Sequence, residues 1–319
     1  MRVSFALNIL SALLLASAVA GCTVNPARNS DTIARRAGLQ PLSLTGVGFS
    51  HTAYARLLPG DAELVVVVEG DGLPWVRGGR VIAADPTPHR PLALQLAVRT
   101  PGSVLYLGRP CYFAARSDPS CESRWWTSQR YAAAVVASMC AAAQRFADEH
   151  QVKSMLLIGY SGGGTMAVLM AARMSRVSGV VSIAGNLDTD AWTRHHQYLA
   201  LDGSLNPARE PQLPESLPQL YLVGDHDANV PYETVSTYLQ RVPPEDVWQF
   251  DAFNHSCCWA REWPSLFSRI RTALNARRVP ETASAADSWS EDVSQSAKEA
   301  ARIYAAAAEA QQVEDLRPR

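Results

Sequence analysis

The chain has 319 residues, 47% of them hydrophobic and 18% charged, an ordinary globular composition with apolar material for one large core or two small ones. Its formal net charge is -1, from 29 Lys+Arg against 30 Asp+Glu. No Lys/Arg cluster breaks that balance, which excludes the basic footprint of a nucleic-acid partner.

In chain order, Arg2 is followed by an apolar run over residues 5–20 that closes in Val19-Ala20-Gly21-Cys22. The run is short for a membrane span and ends in small residues, so residues 1–21 read as a secretory signal. The closing four residues resemble a bacterial lipobox. That resemblance implies lipidation of Cys22, anchoring by more than one acyl chain and, with Thr23 rather than aspartate next, an outer-membrane address facing the periplasm. Residues 22–42 are polar and mixed and read as a tether.

The domain is expected over 43–279. Residues 48–58 partly alternate, as a half-buried strand does. Glu63-Leu-Val-Val-Val-Val-Glu69 is a continuous β-branched run of the kind buried on both sheet faces, and Gly70-Asp71-Gly72 ends it. Residues 76–90 read as loop, 91–98 as a short helix, 102–107 as a strand, 127–149 as an alanine-rich helix. Further strands are expected at 179–184, 220–223 and 247–250, and helices at 231–241 and 259–277. Residues 185–218, irregular and proline-rich, are placed to form a small cap. Residues 280–319 read as a linker and a possible C-terminal helix. Strands alternating with helices, each apolar throughout, mean a mostly parallel sheet with helices on both faces; chemistry in such sheets sits past the carboxyl ends of the strands.

Besides Cys22 there are five cysteines, so at least one thiol stays unpaired. Cys111 and Cys121 bracket a short loop and are the expected disulfide in an exported chain. Cys257 and Cys258 are adjacent, a bridge between them is strained, and either is left open as free. Cys140 lies in an apolar helical run and reads as a small buried hydrophobe. No CxxC pair is present, and nothing calls for a metal or cofactor.

The most informative stretch is 153–170, KSMLLIGYSGGGTMAVLM. A strand-length apolar run, a glycine-crowded turn with Ser161 near its apex, and small residues at helical spacing make a nucleophile elbow. A serine hydroxyl needs a base, usually an oriented histidine. Of seven histidines, His255 follows the last strand and precedes the last long helix. The acid should leave strand 220–223, where Gly224-Asp225-His226-Asp227-Ala228-Asn229-Val230-Pro231 offers two carboxylates. This loop and the elbow resemble the α/β-hydrolase superfamily over roughly residues 45–278. The superfamily pattern of glycine, two variable residues, aspartate, two more and Val-Pro selects Asp227, with Asp225 and Asp188 as alternatives. The order Ser161, Asp227, His255 matches it.

The resemblance also implies an α/β-hydrolase fold and an oxyanion hole made by the backbone NH of Gly162 and an NH after the strand ending at Val68. Where many members carry His-Gly, this chain has Glu69-Gly70-Asp71-Gly72. Position favours Asp71, with Gly72 the alternative, and carboxylates at Glu69 and Asp71 would oppose an oxyanion unless turned away or hydrogen-bonded. Arg109 suits either a substrate anion or, more commonly, a structural salt bridge. Trp75, Trp125, Trp126 and Trp192 suit an acyl pocket or packing under loops. The expected activity is hydrolysis of carboxylic esters on a small-molecule or lipid-like acyl substrate. Peptidase and thioesterase chemistry, or a non-catalytic binding role, are the alternatives.

Overall fold

A computed structural model describes residues 25–113 and 120–277; the signal segment, Cys22 and the 280–319 tail lie outside them. Ten strands and seven α-helices are described. In order they are α1 Pro26–Arg36, β1 Gln40–Thr45, β2 Ser50–Arg56, β3 Glu63–Val68, β4 Trp75–Val76, β5 Val81–Ile82, α2 Leu92–Arg99, β6 Val104–Leu107, α3 Ala133–Glu149, β7 Ser154–Tyr160, α4 Gly162–Ala171, β8 Val177–Ile183, α5 Thr189–His196, β9 Gln219–Gly224, α6 Tyr232–Leu239, β10 Val247–Phe250 and α7 Trp259–Arg277.

Eight strands form one sheet in the order β1-β2-β6-β3-β7-β8-β9-β10. β1, β2 and β6 pair antiparallel, and every neighbour from β6 to β10 is parallel, so the mostly parallel sheet read from the strand–helix alternation is present. The period of two in a strand sorts side chains to opposite faces. Leu64, Val66 and Val68 of β3 join a core with α3, α4 and α6. Val65 and Val67 join a second core with α1, α2 and α7. With both faces covered, the β-branched run of β3 is buried along nearly its whole length, each such side chain contributing about 1.5–3 kcal/mol relative to exposure.

Residues 25–42, expected as part of a tether, are folded onto the domain instead. Asn25 caps α1 by accepting from the amides of Ala27 and Arg28, Pro26 occupies its first turn as prolines prefer, and Ala34 is fully buried. β1 then adds an antiparallel edge strand, Gln40 opposite Ala55 through Thr45 opposite Ser50. The long helix expected from 127 begins only at Ala133, after a single 3-10 turn at Ser123–Trp126. Residues 76–90, expected as loop, include the β4–β5 ribbon.

Cys111 and Cys121 form a disulfide with Cα atoms 5.4 Å apart. Cys257 and Cys258 are also bonded to each other, so neither is free. Cys140 is a buried free thiol, and burial pushes its pKa up to about 12. Among the described residues no helix is long and apolar enough to cross a membrane.

Candidate active site

β7 ends at Tyr160, and α4 begins at Gly162, leaving Ser161 to make the whole turn. Its φ of 54° and ψ of -126° lie in a region that non-glycine residues occupy only when the surroundings impose it. The surroundings do so: the Ser161 amide donates to the Ile183 carbonyl of β8 at 2.8 Å, and its own carbonyl accepts from Gly164 at 2.8 Å. The turn has no room for side chains beside it. A Cβ on Gly159 would stand 1.9 Å from the Gly163 carbonyl oxygen, and one on Gly163 would stand 2.2 Å from that of Val68.

His255 and Asp227 arrive from the exits of β10 and β9. The two loops are tied: the Asp225 amide donates to Phe250 and the His226 amide to Phe253. A Cβ on Gly224 would be 2.5 Å from the Phe253 carbonyl oxygen, so only glycine allows this approach. Asp227 uses both oxygens. Oδ1 accepts from the amides of Asn229 at 2.9 Å and Val230 at 2.8 Å, and Oδ2 faces His255 Nδ1 at 2.8 Å. His255 Nε2 lies 3.0 Å from Ser161 Oγ. The histidine backbone is held as well, its carbonyl accepting from Tyr160 Oη at 2.9 Å and from Trp259 Nε1 at 3.2 Å. With Asp227 accepting at Oδ2, Nδ1 carries the ring proton and Nε2 is left to accept from the serine.

The alternative acids are placed elsewhere. Asp188 caps α5, its Oδ1 accepting from Asp190, Ala191 and Asn206 Nδ2. Asp225 is exposed, with its side chain outside the Ser161–His255–Asp227 chain of hydrogen bonds. α5 itself gives the 185–218 insert more regular structure than expected, and Trp192 Nε1 and His196 Nε2 both contact the Asn229 carbonyl, at 2.7 and 2.8 Å. The insert thus packs on the acid loop. Trp126 is buried with Nε1 on the Ala83 carbonyl, Trp125 meets Phe49 edge-on, and Trp75 is exposed.

On the other side of the serine, Gly70 is close enough that a Cβ there would be 3.3 Å from Ser161 Cβ. Asp71 turns its carboxylate toward Gly162, where a Cβ would meet Asp71 Oδ1 at 2.1 Å. That carboxylate is neutralised: Oδ1 pairs with Arg109 at 3.2 Å, and Oδ2 pairs with Arg130 at 2.9 Å and accepts from Tyr131 Oη at 2.6 Å. Tyr112 Oη adds a bond to the Asp71 carbonyl at 2.7 Å, and Arg109 Nη2 donates to the Arg130 carbonyl. Burial raises the Asp71 pKa, but Arg130, Arg109 and the Tyr131 hydroxyl outweigh it and hold the carboxyl below its ordinary value. Arg109, only 1% exposed, is therefore the structural salt-bridge partner. A Cβ on Gly72, at φ 61°, would be 2.0 Å from the Pro86 carbonyl oxygen.

Glu69 is the second carboxylate under the site. Its Oε1 accepts from Gly70 at 3.0 Å and Ala93 at 3.4 Å, and Oε2 from Tyr106 Oη at 3.3 Å. Burial pushes its pKa up to about 7 despite those donors. A raised folded-state pKa means that folding favours the protonated carboxyl. The stabilisation is complete below the ordinary value of 4.5 and is lost as pH rises through about 7. His51 acts oppositely. It is buried between the Gly108 carbonyl and Ser138 Oγ and lowered by burial to about 4, so its contribution is lost as pH falls through that value. Comparing Glu69→Gln with wild type isolates the first effect. In urea unfolding, the variant gains stability relative to wild type between about pH 5 and about pH 8; a pH-independent difference would show that Glu69 does not titrate in this way.

No protein-family model matches the chain, and no curated protein sequence is similar to it. Solved structures do share its fold. An esterase from Pyrococcus furiosus is 14% identical with a TM-score of 0.51, covering 74% of this chain and 91% of its own. A protein of unknown function from Agrobacterium tumefaciens, classed with the alpha/beta hydrolases, is 14% identical with a TM-score of 0.51, covering 76% and 100%. Puromycin hydrolase is 16% identical with a TM-score of 0.50, covering 75% of this chain and 39% of its own.

Proposed function

We propose that this chain, which has the α/β-hydrolase fold, is a serine hydrolase that cleaves carboxylic esters through an acyl-enzyme. The observation that carries the reading is the unbroken relay from Ser161 Oγ to His255 at 3.0 Å and from His255 to Asp227 at 2.8 Å. Ser161 Oγ attacks the acyl carbonyl as its proton passes to His255 Nε2; the imidazolium, stabilised by Asp227, returns that proton to the leaving alkoxide. Water, deprotonated by the same nitrogen, then releases the acid. The developing oxyanion is held by the Gly162 amide, whose place in the first turn of α4 leaves it without an intrahelical acceptor. The Asp71 amide is the second donor, a choice supported by its place directly after Gly70, where an added Cβ would be 3.3 Å from Ser161 Cβ. The paired Asp71, Arg109 and Arg130 carry a net positive charge beside that position, and the protonated fraction of Glu69 lessens the negative charge beneath it.

A fluorophosphonate probe tests the reading. Labelling of the folded wild type that disappears in Ser161→Ala is expected, and an unlabelled wild type would overturn it. A panel of ester, thioester and peptide substrates then separates the bond types on which this machinery can act.

The lipobox-like ending at Cys22 supports a cell-envelope address, with the enzyme lipid-anchored at the outer membrane and facing the periplasm. In Cys22→Ala the protein is expected to leave the membrane fraction once a high-salt wash has screened peripheral charge contacts. Retention of the variant equal to wild type after that wash would refute the lipid anchor.

A further inference from the structure

Immediately after the loop that touches Ser161, the chain runs out into the β4–β5 ribbon, Leu73-Pro-Trp-Val-Arg-Gly-Gly-Arg-Val-Ile82. The ribbon is short and firmly based. The Leu73 amide donates to Pro86 at 2.8 Å, that of Ala83 to Pro74 at 2.9 Å, and Trp126 Nε1 holds the Ala83 carbonyl at 3.1 Å. Beyond that base, Trp75 faces Ile82 and Val76 faces Val81 across the strands. Adjacent residues of a strand point to opposite faces, so these two pairs occupy the two faces of the ribbon. Both are wet: Trp75 is 38% exposed, Ile82 39%, Val76 40% and Val81 41%, with Leu73 at 40%. A ribbon packing on its own domain would bury one face, and a protein groove would cover one face. A medium that surrounds it satisfies both.

The tip is Arg77-Gly78-Gly79-Arg80, closed by the Arg80 amide on the Val76 carbonyl at 3.2 Å. Neither arginine forms an ion pair among the described residues, and no acidic residue lies between Gly72 and Ala84. Guanidinium groups beyond a band of Trp, Val and Ile match an anionic bilayer surface, with the aromatic ring at the headgroup level and the arginines reaching phosphates. The reach also fits. Two residues per strand extend roughly 7 Å, within the roughly 5–10 Å over which interfacial segments bury apolar groups. A two-stranded ribbon with unpaired edges can go no deeper, because its free backbone groups need water or headgroups.

We infer that the β4–β5 ribbon is a membrane-docking element that dips into the interface of an anionic bilayer and brings the mouth of the Ser161 site to the lipid surface. It acts independently of any lipid on Cys22, and its test does not depend on catalysis.

The test places an environment-sensitive fluorophore on Val76→Cys, in the full-length chain with Cys22→Ala, so that the remaining thiol, Cys140, is buried. A matched probe on Glu149→Cys, at the end of α3, reports a surface away from the strand exits. With phosphatidylglycerol-containing vesicles carrying a shallow lipid-borne quencher, the Val76 probe is quenched and the Glu149 probe is not. Arg77→Gln with Arg80→Gln shifts the docked–undocked equilibrium of the ribbon by about 30-fold toward the undocked form, at about fivefold per arginine, and phosphatidylcholine vesicles give a similar loss. Equal quenching of the two probes, or none at either, overturns the proposal. So does a change at Val76 that follows protein concentration without vesicles, which would make the ribbon a contact between protein molecules.

Discussion

Ser161→Ala lowers ester turnover by about 10^4-fold to 10^6-fold, and adding His255→Ala lowers it no further. The two groups act through one proton transfer, so removing either removes the same step. Asp227→Asn is the more discriminating variant. Asparagine can keep the carbonyl oxygen that accepts from Asn229 and Val230, so the loop stays in place. It then turns an NH2 group toward His255 Nδ1. That nitrogen must accept, the proton moves to Nε2, and Nε2 can no longer take the proton of Ser161. A fall of roughly 10^4 in kcat with native thermal stability is expected. Near-normal kcat in Asp227→Asn, or a double variant whose loss is the product of the single losses, would mean that the three residues do not work as one unit.

Asp71→Ala is expected to cost about 3–5 kcal/mol of unfolding free energy, because it leaves Arg109 and Arg130 buried without their counter-charge. On the proposed function the variant should also hydrolyse esters more slowly at a temperature where it is still folded, since the same carboxylate fixes the loop that carries the proposed Asp71 donor. Urea unfolding followed by tryptophan fluorescence reads the first effect and kcat the second. A loss under about 1 kcal/mol would show the cluster to be a solvated surface pair. The pH dependence has a definite sign. The Asp71 carboxyl is held below its ordinary value, so its contribution is present at neutral pH and is lost as pH falls through the acid range below the unfolded value of 3.8. Asp71→Asn should therefore lose less stability on acidification than wild type does.

The elbow, the acid loop and the base were legible because each is a local pattern: glycines where backbones collide, and aspartate at a fixed distance from Val230-Pro231. The fold class followed from apolar runs such as β3, whose burial on both faces leaves no alternation to misread. What escaped had physical reasons. β1 is an exposed edge strand with only partial burial along its length, and α1 buries only Ser30 and Ala34, so neither carries a strong apolar period. The partners of Asp71 lie 38 to 60 residues away along the chain, which no spacing rule reaches. The sequence names no salt-bridge partner for Arg109, and Arg130 and Tyr131 sit in a stretch that reads simply as helix. The β4–β5 ribbon reads as loop because its strands are two residues each, too short to show a period.

The bracing between the β9 and β10 loops also bears on motion. Asp227 and His255 are joined by their own hydrogen bond and by amide–carbonyl links from Asp225 to Phe250 and from His226 to Phe253. Ser161 is fastened through Ile183 of β8 and the helix that follows it, with the hydroxyl of Tyr160 beside it reaching only the backbone carbonyl of His255. A displacement that carried the two braced loops together would change the 3.0 Å gap between His255 Nε2 and Ser161 Oγ and leave the 2.8 Å contact behind it as it is. Under such a displacement the imidazole would keep its orientation, and only its reach to the serine hydroxyl would vary.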